Sequence, residues 1–147
     1  MDKSVIKQSI IAQQEEAVET LRKAVEQYQE EADIDEQEGQ DPQDYSHQEE
    51  ATDLWRRMET QLKIAESDLA RIQSIPVDRY EKVKVGSLVE TDYLNFFVGI
   101  SSLPFQVNDR KVIGISTHAP IYFQLKGKKE GDRISIGKKE YRIRAVS

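Results

Sequence analysis

The 147-residue chain has the length of one ordinary domain or two small ones, and its 33% charged content indicates a protein rich in exposed helix. It contains no cysteine, which excludes disulfides and thiolate zinc sites, and two isolated histidines cannot form a histidine metal site. Neither a signal-peptide core nor a membrane-spanning apolar run is present, so we expect a cytoplasmic protein with no membrane partner.

The acidic residues are concentrated in one stretch. Residues 24–55 carry no Lys or Arg but hold twelve of the 27 Asp and Glu, which leaves fifteen acids against 21 bases elsewhere. A charge block of this kind usually marks a solvated or disordered face. The chain is therefore a mildly basic body with one acidic segment.

Two apolar runs flank the centre of this acidic segment. Each has the alternating four-three spacing of a coiled-coil seam and contains no Pro or Gly. The first comprises Ile10, Gln14, Ala17, Leu21, Ala24 and Tyr28, and the second comprises Ala51, Trp55, Met58, Leu62, Ala65, Leu69 and Ile72. The spacing predicts two long helices that pair through these residues.

Antiparallel pairing of the two helices gives partners whose residue numbers add to 79, as for Ile10 with Leu69. The centre of the hairpin then falls between Gly39 and Gln40, and the acidic residues 36–44 form its tip. Asp41 before Pro42 has the pattern of a helix N-cap, a structural role that needs no further function. The same pairing brings together a basic collar, which is equally compatible with solvated surface, made of Arg22, Lys23, Arg56 and Arg57.

The second half has a different pattern. Pro76 ends the helical run, and β-branched, alternating segments follow at residues 83–89, 93–100, 111–116, 133–136 and 141–146. One short helix is predicted at residues 120–126, ending at Gly127. The predicted fold class is α+β: an antiparallel helical hairpin over residues 1–75, followed by a small antiparallel β domain with one short helix over residues 76–147.

Basic residues crowd toward the end of the β domain. They are Lys126, Lys128, Lys129, Arg133, Lys138, Lys139, Arg142 and Arg144. Nucleic-acid binding is one interpretation of this charge. We favour a solvated strand face, because acidic residues are interspersed and no aromatic-interleaved RNA-binding signature accompanies the charge.

The combination of a hairpin with an acidic tip and a small β domain resembles the Gre transcript-cleavage factors of bacterial RNA polymerase over nearly the whole chain. The segment 119–132, Ala-Pro-Ile-Tyr-Phe-Gln-Leu-Lys-Gly-Lys-Lys-Glu-Gly-Asp, is similar to the Ser-Pro to Leu-Leu-Gly-Lys-Lys-x-Gly-Asp segment of that family. Residues 85–89, Val-Gly-Ser-Leu-Val, resemble the strand that opens its C-terminal domain. The resemblance implies an FKBP-like β domain.

At the tip, Asp41 and Asp44 occupy the places of the family's Asp and of the Glu that follows three residues later. Gln40 replaces the family's Gly, and residues 45–48, Tyr-Ser-His-Gln, replace the rest of its signature. The resemblance implies that the tip enters the secondary channel of the polymerase and that its carboxylates help to hold a second Mg²⁺ for transcript cleavage. Asp41 would be the main ligand, and Asp44 a second ligand or a water-orienting base.

The resemblance further implies an accessory factor without independent catalysis and without a stably bound cofactor. We expect Mg²⁺ only in the complex with bacterial RNA polymerase, an indirect contact with nascent RNA, and a monomer. The residues expected to contact the polymerase are Glu36 and Glu38 at the tip, Arg22, Arg56 and Arg57 in the collar, and Pro120, Ile121, Leu125 and Gly127 in the β domain.

Three alternatives remain open. A Gre-like regulator would enter the same channel and inhibit or modulate transcription without cleavage. An FKBP-like prolyl isomerase or chaperone would need an aromatic-lined pocket, although core packing explains the aromatic residues more simply. A coiled-coil spacer would explain the seam but would leave the acidic tip unexplained.

Overall fold

The computed structural model describes residues 1–38 and 42–147, and it describes side chains for residues 1–32 and 49–147. The elements in chain order are α1 (Lys3–Glu38), α2 (Pro42–Ser74), β1 (Leu88–Thr91), β2 (Asn95–Val98), β3 (Phe105–Val107), β4 (Arg110–Ile115), α3 (Pro120–Leu125), β5 (Arg133–Ile136) and β6 (Lys139–Val146). A helical pair followed by a sheet with one short helix confirms the predicted α+β class.

The chain divides into two compact units. Gln14–Leu69 form the helical unit, and Met1–Gln13 together with Ala70–Ser147 form the sheet unit. Both long helices therefore continue from one unit into the other, whereas the sequence predicted a division at residue 75.

The helical unit is held by a narrow apolar seam. Gln14 Nε2 donates to the Ala65 carbonyl oxygen at 2.9 Å, which matches the predicted sum of 79. Val18 is 4% exposed while Ala17 is exposed, so the seam prediction at Ala17 is wrong. Val18 restores the four-three spacing with Gln14 and Leu21, and its larger side chain removes more apolar surface from water.

The sheet unit contains six strands in the order β3-β4-β2-β1-β6-β5. The sheet is mixed, because β2 and β4 pair in parallel while the other neighbours are antiparallel, as β1 and β2 are. The prediction of an entirely antiparallel sheet therefore needs this correction, and β3 was not predicted. The FKBP-like part of the prediction stays a prediction.

The first face of the sheet forms the main core under α3. Strand residues alternate between faces, and the cluster on this face contains Val89, Phe96, Val98, Ile115, Ile134, Tyr141 and Ile143. Tyr122 and Leu125 of α3 are buried against it. Pro120 at the first helical position starts α3, with Ala119 extended before it.

The second face is apolar in the middle of the sheet and charged toward β5. Leu88, Phe97 and Val112 have no exposed surface, and the helix-end residues Ile6, Ile10, Ile72 and Ile75 are buried in the same unit. Because α3 lies on the first face, the helix ends are the elements of this unit that remain to cover the second. Consistently, a Cβ on Gly99 would lie 2.7 Å from Ile75 Cδ1.

Two lysines near the start of α1 fasten it to the end of α2. Lys7 Nζ donates to the carbonyl oxygen of Gln73, in the last turn of α2, and to that of Ile75, directly after the helix. The last carbonyl groups of a helix have no hydrogen-bond partner within the helix, and a positive charge there is favourable. Lys3 Nζ donates to the Asp78 carbonyl oxygen and lies 4.9 Å from the centre of the Tyr80 ring. Burial lowers the pKa of Lys3; nearby Asp78 raises it in part, and Arg79 lowers it further.

Candidate functional site

The four predicted tip residues lie outside the residues whose side chains are described. Glu36 and Glu38 fall within α1 and Asp44 within α2, while Asp41 lies between the two helices in the chain. Their predicted roles as metal ligands or partner contacts therefore stay predictions. The structure shows that α1 and α2, which lead to and from this segment, pair in antiparallel orientation where their side chains are described.

The predicted basic collar is interleaved with acidic residues. Arg22 Nη1 lies 3.0 Å from Glu19 Oε2, and its Nη2 lies 3.7 Å from Glu66 Oε1. Arg56 and Arg57 are exposed, and Arg56 lines a surface cavity of about 350 Å³ with Glu49, Thr52 and Asp53. Because all these charges are solvated, the ion pairs contribute little to stability, and the arginines can reorient toward a partner.

The segment that carries the resemblance in the sheet unit is anchored by backbone hydrogen bonds. Gly127 has a φ of 77°, a conformation that favours glycine, and its N–H donates to the Val83 carbonyl oxygen at 2.9 Å. The Val83 N–H donates in return to the Lys128 carbonyl oxygen at 2.8 Å. This pair of bonds fixes the end of α3 on the chain that leads into β1.

The four predicted contact residues of this segment have different environments. Leu125 is fully buried and Ile121 is half-buried, so the Leu125 side chain holds α3 on the sheet. Pro120 and Gly127 are exposed, as is Phe123, whose side chain is large and apolar. The outward surface of α3 is therefore formed by Pro120, Phe123 and Gln124, with a share of Ile121.

A polar cluster on the second face of the sheet was missed in the sequence. Arg110 Nη1 lies 2.5 Å from Glu90 Oε1, and its Nη2 donates to Asn95 Oδ1 at 3.1 Å. Asn95 is almost fully buried, accepts from the Thr91 N–H and donates to the Lys111 carbonyl oxygen. The only sequence signal was an Asn at the start of an apolar strand, because the partners are distant in the chain.

Within residues 1–38 and 42–147, no helix is long and apolar enough to cross a membrane. Among the described side chains, no group of three or more His, Asp or Glu stands close enough together to hold a metal ion.

No protein-family model matches the chain, and no curated protein matches it. Among solved structures, that of the transcription factor Gfh1 is similar to the chain at 24% sequence identity. The similarity covers 92% of this chain and 93% of that chain, with a TM-score of 0.35.

Proposed function

We propose that this protein is a Gre-type transcription factor that binds bacterial RNA polymerase. The observation that carries the proposal is the antiparallel pairing of α1 and α2, in which Gln14 meets Ala65 on either side of a chain segment rich in acids. A second support is the anchored α3 segment, whose sequence resembles that of the family.

In this proposal the two units contact different parts of the polymerase. The helical unit enters the secondary channel with the acidic residues 36–44 leading, and α3 of the sheet unit docks on the polymerase surface through Pro120 and Ile121. When Mg²⁺ is present in the complex, it supplies charge neutralisation for phosphodiester hydrolysis. Asp41 would ligate the ion and Asp44 would orient a water molecule, which suits a metal that prefers oxygen ligands.

A non-cleaving regulator is the second candidate, and the departures from the family signature favour it. Asp44 is one methylene shorter than the family's Glu, and Gln40 and residues 45–48 differ from the signature. A shorter side chain carries its carboxylate less far from the backbone, and a misplacement of about 1 Å in a group that positions a reactant can lower a rate about 100-fold. The protein would then occupy the channel and slow transcription without releasing RNA.

Binding is tested by pull-down of bacterial RNA polymerase with the full chain. The matched variant replaces the four tip acids with amides: Glu36→Gln, Glu38→Gln, Asp41→Asn and Asp44→Asn. We expect both proteins to bind, because the variant keeps α3 and the collar arginines, and we expect the variant to bind more weakly because it lacks the carboxylates of Glu36 and Glu38. Failure of both to bind would refute the polymerase proposal.

Cleavage is tested with Asp41→Asn on a backtracked transcription complex. Asparagine caps a helix about as well as aspartate but has no charge. The free energy of unfolding should therefore change by less than about 0.5 kcal/mol. If the wild type releases RNA fragments, the variant should release at least about tenfold fewer, since one metal ligand is lost. A wild type that binds and slows transcription without any fragment identifies the regulator.

A further inference from the structure

Tyr93 is an exposed aromatic residue set among cations. It lies in the turn between β1 and β2, and 69% of its surface is exposed. Lys139 Nζ lies 5.5 Å from the centre of its ring, and the Tyr141 ring lies 6.0 Å away at 36°. The buried Tyr141 therefore supports one side of Tyr93, which leaves much of the phenol ring open to a ligand.

The second face of β5 and β6 carries arginines beside this turn, whereas Tyr141 and Lys139 belong to the first face. Arg133 and Arg142 are direct cross-strand partners, an arrangement of like charges that Asp92 and Glu140, which line the same cavity, offset in part. Arg133 pairs with Glu140 at 3.6 Å, but the side chain of Arg142 has no partner within the described residues, and neither does that of Arg144. We call Arg133, Arg142 and Arg144 the arginine face.

Two cavities meet at the same turn. One of about 230 Å³ is lined by Asp92, Arg133, Glu140 and Arg142. The other, of about 330 Å³, is lined by residues in and beside two of the three hairpin turns at this end of the sheet: Thr91, Asp92, Tyr93, Asn95, Asp109, Arg110 and Lys111. Asp92 borders both, so an extended ligand can pass from the arginine face to the Tyr93 turn.

The charges around the two cavities favour a polyanion. The two cavities are lined by four cations, Arg110, Lys111, Arg133 and Arg142, and by three carboxylates, Asp92, Asp109 and Glu140, while Glu90 pairs with Arg110. Lys139 beside the Tyr93 ring and Arg144 on the arginine face lie outside the cavity linings and raise the local total to six cations against four carboxylates. This local excess of positive charge stands in a chain whose formal net charge is −6. It adds to the net positive charge that the chain carries outside residues 24–55.

We propose that the Tyr93 turn and the arginine face bind single-stranded RNA. A base stacks on the open side of Tyr93, and the guanidinium groups contact the phosphates. Asp92 and Asp109 can only accept hydrogen bonds when ionised, and the ribose 2′-hydroxyl is a donor that fits them. An acidic peptide would instead bring its carboxylates against these two aspartates. In the sequence, nucleic-acid binding was one interpretation of the basic cluster that includes the arginine face, and a solvated strand face was favoured because Tyr93, distant along the chain, could not be joined to that cluster.

This inference does not rest on the proposed polymerase function. It uses none of the tip residues and none of the contact residues of α3. It can therefore fail or succeed on the isolated full chain, whatever happens in a polymerase pull-down.

The test measures fluorescence anisotropy of a short, unstructured, fluorescein-labelled RNA titrated with the full chain. We expect binding that weakens as salt rises, because phosphate contacts release counterions. Tyr93→Ala should weaken binding about 5- to 100-fold, the effect of losing one stacked base, whereas Tyr93→Phe should stay within about twofold. Phe123→Ala is the matched control, since Phe123 is also 69% exposed, and it should leave binding unchanged.

The arginine face is tested with Arg142→Gln, which should weaken binding and lower the salt dependence by roughly one phosphate contact. Lys126→Gln removes the same charge from the end of α3 and should have a smaller effect. DNA of the same sequence should bind more weakly than RNA.

Absence of binding at low salt would overturn the inference, and so would equal binding by wild type and Tyr93→Ala. Equal affinity for RNA and DNA would refute the assignment to RNA. Displacement of the RNA by polyglutamate at equal charge concentration would assign the surface to an acidic protein instead.

Discussion

The helical unit and the sheet unit bury apolar surface in different ways. In the helical unit, Val18, Ala51 and Ala65 are buried, while Trp55 and Leu62 in the same seam are only partly covered. The sheet unit contains fully buried large side chains on both faces, among them Phe97 and Leu125. A two-helix seam covers one side of each helix, whereas a sheet layered between helices covers both faces. The difference teaches that the large buried apolar side chains belong to the sheet unit, whereas the helical unit is held mainly by small ones.

The largest expected effect is on the sheet core. Phe97→Ala removes a fully buried ring from the second face and should lower the free energy of unfolding by about 3–5 kcal/mol. Urea denaturation monitored by far-UV circular dichroism measures the change. Phe123→Ala, at an exposed site, should change it by less than about 0.5 kcal/mol. Comparable losses in the two variants would contradict the layered core.

A smaller effect is expected in the seam of the helical unit. Val18→Ala should lower the free energy of unfolding by about 1–2 kcal/mol, because it removes two buried methyl groups from a narrow interface. Ala17→Ser is the control one residue away, at an exposed position, and should cost less than about 0.5 kcal/mol. The helical circular dichroism signal in urea reports both. If Ala17→Ser were the more damaging change, the seam would follow the sequence prediction and not the structure.

The smallest effect concerns Lys3 and alkaline pH. Burial lowers the pKa of Lys3, so the folded state binds its proton less tightly than the unfolded chain does. The resulting penalty is fully present below the lowered pKa and is relieved as pH rises toward the ordinary value of 10.5. Relative to Lys3→Met, the wild type should therefore gain stability across that interval, by at most about 1.4 kcal/mol per pH unit.

The measurement is the free energy of unfolding in urea at several alkaline pH values. Arg79→Gln removes a cation that lowers the same pKa, so the pH-dependent gain should shrink in that background. A gain that stays the same in that background would show that Arg79 does not act on Lys3. No gain of the wild type over Lys3→Met, or one of opposite sign, would show that Lys3 is not desolvated as the structure indicates.

Much of the fold was accessible from the sequence because its signals are periodic. The four-three spacing gave both helices and their pairing, and β5 was predicted with its observed bounds. Strand β3 was missed because Phe105–Val107 has only three residues and follows a proline. The parallel pairing of β2 with β4 was missed because no helix connects them, and such a helix is the usual sequence sign of a parallel pair.

The candidate sites were less predictable, since they depend on contacts between distant residues. The sequence located the acidic segment and the α3 segment by composition and resemblance. It could not show that Leu125 is buried while Phe123 is exposed, because both are apolar residues of one short helix. Nor could it place Lys139 beside Tyr93, which requires the order β1-β6-β5 in the sheet.

The sheet unit is built from two separate parts of the chain, and this affects when it can fold during synthesis. Ile6 and Ile10 are made early, but the sheet they cover is complete only when β6, which follows every other strand in sequence, inserts between β1 and β5. Contacts of such high sequence separation slow folding, because the loop entropy is lost before the contacts form. The apolar face that α1 presents to the sheet therefore lacks its full cover until β6 has been synthesised, and partly covered intermediates of this kind are prone to aggregation.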